Sequence, residues 1–186
     1  MSKQDNFELN FSLKGNASIQ IGIYFLIAAY CIKNILDGFL IDDNPLGMLS
    51  AEIIEVFIIA ITFFTFLFAG LALYFKGRRK AKKLEYHLWN AKTKKTFWLI
   101  ILSFIGIFLL LNLLLNLGFI NFITPTFVLL YGLLIFLNKN KKRRDLLVLT
   151  GICLLLGAIS ILIPGYWYSS LLILGIAHIT YGVVVR

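Results

Sequence analysis

Apolar and polar positions along this chain are sorted into blocks. Six apolar runs, at 19–36, 53–74, 97–115, 125–137, 146–163 and 171–185, are separated by short polar stretches. Within the runs neither the period of a half-buried strand nor a wide polar helical face recurs, so each reads as a helix apolar on all sides. The run 53–74 would rise about 33 Å as a helix, enough for a hydrocarbon core of about 30 Å. The pattern therefore predicts an all-α polytopic membrane protein: six transmembrane helices arranged as three hairpins in one integral membrane domain, 1–186. Run 19–36 departs most from this pattern, because it carries Lys33 and Asn34, and run 125–137 is short. Residues 1–16 form a polar head in which Phe7, Leu9, Phe11 and Leu13 alternate with Glu8, Asn10 and Ser12. With no partner strand, these apolar side chains are expected to dip among lipid headgroups.

The connectors orient the bundle. Residues 76–95 hold Lys76, Arg78, Arg79, Lys80, Lys82, Lys83, Lys92, Lys94 and Lys95 against one acid, Glu85. A second cationic stretch, 138–145, contains Lys139, Lys141, Lys142, Arg143 and Arg144, while loop 37–51 is acidic and turn-rich, with Asp37, Asp42, Asp43, Asn44 and Pro45. With six crossings, every one of the 18 basic residues except Lys33 falls on the same side. The positive-inside rule makes that side the cytoplasm and places both termini there, in a bacterial inner (plasma) membrane. The middle of block 76–95 carries Ala81, Leu84, Leu88 and Ala91 at helical spacing, with Tyr86 and Trp89 nearby. It is expected to lie as an amphipathic helix in the interface plane; the alternative is a straight extension of the preceding span. Tyr166, Trp167 and Tyr168 are expected to form an aromatic belt.

Composition agrees with the pattern. The chain of 186 residues is 60 % hydrophobic and 15 % charged, far more apolar than a soluble domain, which carries about 45–50 % apolar and 25 % charged residues. The net charge of +9 sits beside spans, so anionic headgroups are the expected partners and nucleic acid is not. Arg78, Arg79, Lys80, Lys82, Lys83, Trp89, Arg143 and Arg144 are the expected lipid contacts. Cys31 and Cys153 have no metal or disulfide spacing and read as free buried thiols. No metal, no cofactor and no soluble catalytic domain is expected, and a homo-oligomer or a membrane-protein partner is compatible with the chain.

Polar residues inside a membrane are costly and are functional candidates by default. Lys33 and Glu55 lie at matching depths near the outer ends of the first two spans. They would form a structural pair whose side chains reach water, or an outward-opening ion or proton site. Asn112 and Asn116 share a face of the third span, where they would bond neighbouring helices or line a cavity. His178 would bridge helices or relay protons. A transport path through Lys33, Glu55, Asn112 and His178 is the alternative to a structural or accessory role. A third reading pairs Ser160 with His178 as nucleophile and base. Gly157-Ala-Ile-Ser160 with Ala177-His178 resembles the rhomboid family of six-span intramembrane proteases. It lacks the glycine after the serine, and on an antiparallel hairpin the two residues sit at different depths.

Gly151, Gly157, Gly175 and Gly182 are expected to let the fifth and sixth spans approach closely. Tyr131-Gly132 and Tyr181-Gly182 hint at a repeat of about 50 residues. Gly151-Ile-Cys-Leu-Leu-Leu-Gly157, Pro164, Leu172-Ile-Leu-Gly175-Ile and Tyr181-Gly182 resemble the hairpin repeat of the HdeD-type acid-resistance membrane proteins. That resemblance covers the last hairpin and not the first. It implies a small six-span bacterial membrane protein with a stress-linked, non-enzymatic role.

Overall fold

The computed structural model describes residues 13–39, 49–83, 85, 87–89, 91–137, 146–163 and 167–185. The protein is all-α. Its helices are α1 (Asn16–Phe39), α2 (Ala51–Lys83), α3 (Ala91–Asn116), α4 (Ile123–Leu137), α5 (Leu146–Leu162) and α6 (Trp167–Val184), with a 3₁₀ turn, Ile120–Phe122, leading into α4. Among the described residues three segments are long and apolar enough to cross a membrane: Asn16–Phe39, Ala51–Lys83 and Thr93–Asn116. The other three apolar helices are shorter. At 15 residues, α4 rises about 22 Å, less than a hydrocarbon core of about 30 Å.

The basic block does not form a separate interfacial helix. Residues through Lys83 continue α2 without a break, and Ala91–Lys95 opens α3. Ala, Lys and Arg are good helix formers, so nothing between Phe75 and Lys83 except Gly77 opposes continuation. Cations in the last turn of α2 also face the negative end of the helix dipole. Between α2 and α3, Glu85 adopts φ 50°. Trp167 and Tyr168 likewise lie within α6 rather than ahead of it. The second cationic stretch, with Arg143 and Arg144, lies outside the described residues, as do most of the polar head and loop residues 40–48.

Helix α3 ends in a Schellman motif. Gly118 takes φ 77°, its N–H bonds the Leu115 carbonyl at 2.8 Å, and the Phe119 N–H bonds the Leu114 carbonyl at 2.9 Å. Two carbonyls that the helix leaves open are thereby satisfied. Within the helices, hydroxyls are satisfied locally: Thr62, Thr65, Thr150, Ser160 and Ser103 each donate to the carbonyl four residues back. That is the accommodation open to a short polar side chain where water is absent.

The chain order is three hairpins, but the closest packing joins other pairs: α1 against α6, and α4 against α5. The glycines show why. A Cβ on Gly175 would lie 2.9 Å from the Gly22 carbonyl oxygen, and one on Gly182 would lie 2.8 Å from that of Gly15. These glycines therefore bring α6 onto α1, not onto α5. Gly157 faces Leu129 of α4, and a Cβ on Gly151 would meet open space. The expected α5–α6 glycine seam is corrected accordingly. Without a hydrophobic force between helices in lipid, closest approach is set by small residues. The α1–α6 seam joins the two ends of the chain and closes the bundle. It also includes a hydrogen bond from the Gly15 N–H to the Val185 carbonyl at 3.1 Å.

Candidate functional site

The same seam carries the buried polar group of greatest interest. Gly15, Ser18 and Gly22 on one side repeat the spacing of Gly175, His178 and Gly182 on the other. The two antiparallel helices thus meet at glycine above and below a facing Ser–His pair. Ser18 and His178 are both fully buried. The Ser18 Oγ lies 3.1 Å from His178 Nδ1 and donates to the His178 carbonyl at 2.8 Å. From α4, the Tyr131 hydroxyl reaches His178 Nε2 at 3.0 Å. Tyr131 is buried, and Phe25 of α1 stacks on the imidazole with ring centroids 5.5 Å apart at 26°.

One proton arrangement satisfies all of these contacts. Ser18 spends its single proton on the His178 carbonyl, so its oxygen accepts from Nδ1–H. Nε2 is then the acceptor for the Tyr131 O–H. The imidazole is neutral, and each ring nitrogen has one partner. In the reverse tautomer Ser18 would have to donate to both the carbonyl and Nδ1 with one proton. The network ties α1, α4 and α6 together at a single side chain. Around it lies an apolar and aromatic core: Phe66 meets Phe127 and Phe104 edge-on at 4.5 Å each, and Phe25 meets Tyr131 at 5.3 Å.

This geometry does not make Ser18 a nucleophile. Its proton points at a carbonyl rather than at the base, and the residue is fully buried. The serine–base relation that activates a hydroxyl is absent. Ser160 donates to Leu156 within α5 at 2.8 Å, while His178 is bonded to Ser18 and Tyr131, so the Ser160–His178 pairing is not formed. Nor do the other candidates converge on His178. Lys33 is exposed on α1, and Glu55 is half-buried near the start of α2. Lys33 lies 15 residues along α1 from Ser18, about 22 Å of helix, with the fully buried Ile21, Phe25 and Ile32 between. Asn112 and Asn116 are exposed on α3, so they do not line the interior. Arg78, Arg79, Lys82 and Lys83 are exposed and Lys80 is half-buried on the α2 extension, and Trp89 is exposed in the turn beyond it. Among the described residues no group of three His, Cys, Asp or Glu side chains could hold a metal ion.

Sequence reasoning found His178 but not its partners. Ser18 lies before the first apolar run, and Tyr131 reads in the sequence as one half of a repeated Tyr-Gly pair. The signal was the shared Gly-x2-polar-x3-Gly spacing in the first and last helices, which marks two small-residue faces carrying one polar group each.

No protein-family model matches the chain, and neither a curated protein nor a solved structure is significantly similar to it.

Proposed function

We propose that this chain is a six-pass protein of a bacterial inner membrane with a structural, stress-related or accessory role, and that it neither catalyses a reaction nor conducts a solute. The observation that carries this reading is the state of the interior polar groups. Ser18, Tyr131 and His178 satisfy one another, and buried Thr62, Thr65, Thr150 and Ser160 bond within their own helices. A transport path needs polar groups turned toward a passage and left able to exchange partners. Here Ser18, Tyr131 and His178 are bonded to one another, and Lys33, Asn112 and Asn116 lie on the outer surface. The stress-linked element of the proposal comes from the HdeD-type resemblance of the last hairpin.

Flux in liposomes tests the role. Vesicles carrying the protein should be no more permeable to protons or potassium than protein-free vesicles, and Glu55→Gln and His178→Ala should leave that unchanged. Flux above the protein-free level that Glu55→Gln removes would replace this reading with the transport path.

The crossing number is tested separately. Six passes put residues 79 and 142 on one face of the membrane. In a Cys31→Ala background, with Cys153 buried, Arg79→Cys and Lys142→Cys should react together with a membrane-impermeant maleimide. They should do so only when the cytoplasmic face is accessible. Labelling from opposite faces would mean an odd number of crossings between them.

A further inference from the structure

Helix α3 stands off the bundle. It touches α2 and α4 sparingly, and between it and α2 lies an apolar cleft of about 550 Å³, within the size range of small-molecule sites, about 300–1,000 Å³. Phe63 of α2 and Phe108 of α3 meet across it with ring centroids 5.2 Å apart, and the lining continues one turn further, to Ile59 and Leu111. At the other end Trp89 packs against Tyr74 at 6.1 Å and Phe97 at 5.1 Å. From Ile59 to Tyr74 on α2, and from Thr96 to Leu111 on α3, the walls measure about 22 Å of helix, more than the roughly 15 Å that the chains of one leaflet occupy and so long enough to take one of them along its length. The mouth is cationic. Arg78 stands one turn beyond Tyr74 on α2, Lys95 directly precedes the lining residue Thr96, and both cations are exposed. Aromatic rings with an apolar body and a polar tip belong at headgroup level, so Tyr74 and Trp89 mark the same boundary that the cations do.

We propose that this cleft holds one acyl chain of an anionic phospholipid, with its phosphate met by Arg78 and Lys95 at the cytoplasmic mouth. The acyl chain follows from the long apolar walls, and the leaflet and the sign of the headgroup follow from the cationic, aromatic rim. A bound chain would also fill the gap that leaves α3 weakly attached, making the lipid a structural component. The inference rests on the membrane reading above.

Gly70 makes the test clean. It lines the cleft, and a Cβ there would meet open space, so Gly70→Leu puts a branched side chain into the path of the acyl chain and improves helix propensity. Native mass spectrometry of the protein in mild detergent, with phosphatidylglycerol or phosphatidylcholine added, reads the bound lipid. The expected result is one retained phosphatidylglycerol per chain, with phosphatidylcholine retained at least fivefold less. Gly70→Leu should lose the phosphatidylglycerol adduct while keeping the circular-dichroism spectrum and melting profile of the parent. Arg78→Gln combined with Lys95→Gln should erase the preference between the two lipids. Equal retention of both lipids by the parent, or undiminished binding by Gly70→Leu, overturns the proposal. A protein that stays monodisperse without detergent would defeat the membrane reading instead, before any lipid is measured.

Discussion

Gly22→Val is expected to abolish the folded bundle. A Cβ at position 22 would sit 2.6 Å from the Gly175 carbonyl oxygen, 2.9 Å from the Ile179 backbone N and 2.7 Å from Ile179 Cγ1. Two of these three atoms are backbone and cannot move by changing rotamer. α6 would have to withdraw as a body, and the withdrawal would also open Gly182 from Gly15 and His178 from Ser18. Overpacking a core with extra methylenes typically costs about 1–3 kcal/mol even where side chains can adjust. With rigid backbone on both sides the loss belongs among the few that exceed about 4 kcal/mol. Gly70→Ala, Gly106→Ala and Gly151→Ala are the matched controls. Each site is helical with nothing within 4 Å of the new Cβ, so each should be neutral or gain up to about 1 kcal/mol from helix propensity. Helicity followed by circular dichroism during an SDS titration, together with the monodisperse fraction in dodecyl maltoside, measures all four. A Gly22→Val protein with the parent's midpoint would mean that α1 and α6 do not meet through their glycines.

This contrast shows what a one-dimensional pattern can and cannot tell. Long apolar runs located every helix, because satisfying backbone hydrogen bonds in lipid leaves little else for such a run to be. The glycines at 175 and 182 were legible as a close-packing face, but a face does not name its partner. Chain order suggested the neighbouring α5, whereas complementary spacing at Gly15 and Gly22 brings in α1 from the far end of the sequence. The amphipathic periodicity around Leu84 and Leu88 was real in the sequence and was overridden locally: α2 keeps propagating to Lys83 through residues that favour helix, and Glu85 beyond it takes a positive φ. Lys33, Asn112 and Asn116 drew attention because they are polar inside apolar runs. Position in a run does not say which side of the helix faces the core, and all three are exposed. His178 had the same signal and lies at the centre. The difference comes from its two flanking glycines, which set it on the seam.

The second large effect is expected at that seam, and it separates a satisfied network from a merely buried histidine. In His178→Leu the backbone carbonyl that accepts from Ser18 is retained, so Ser18 keeps its donor contact. The group left without a partner is the Tyr131 hydroxyl, buried against Phe25 and Phe66. An orphaned buried hydroxyl costs about 1–3 kcal/mol, and the imperfect fit of leucine in place of the ring adds to it, so His178→Leu should lose about 2–4 kcal/mol. Tyr131→Phe removes the donor to Nε2 and should cost about 0.6–1.7 kcal/mol, between the average and the maximum for hydrogen bonds between membrane helices. The double variant is the decisive measurement. With neither polar partner left, it should be less destabilised than the sum of the two single changes, by about 1 kcal/mol. Ser18→Ala combined with His178→Leu should also deviate from additivity, by less, because the carbonyl contact of Ser18 survives the loss of the ring. Strict additivity of Tyr131→Phe and His178→Leu in the SDS titration would show that the 3.0 Å contact contributes nothing, and the three-helix junction would then rest on packing alone.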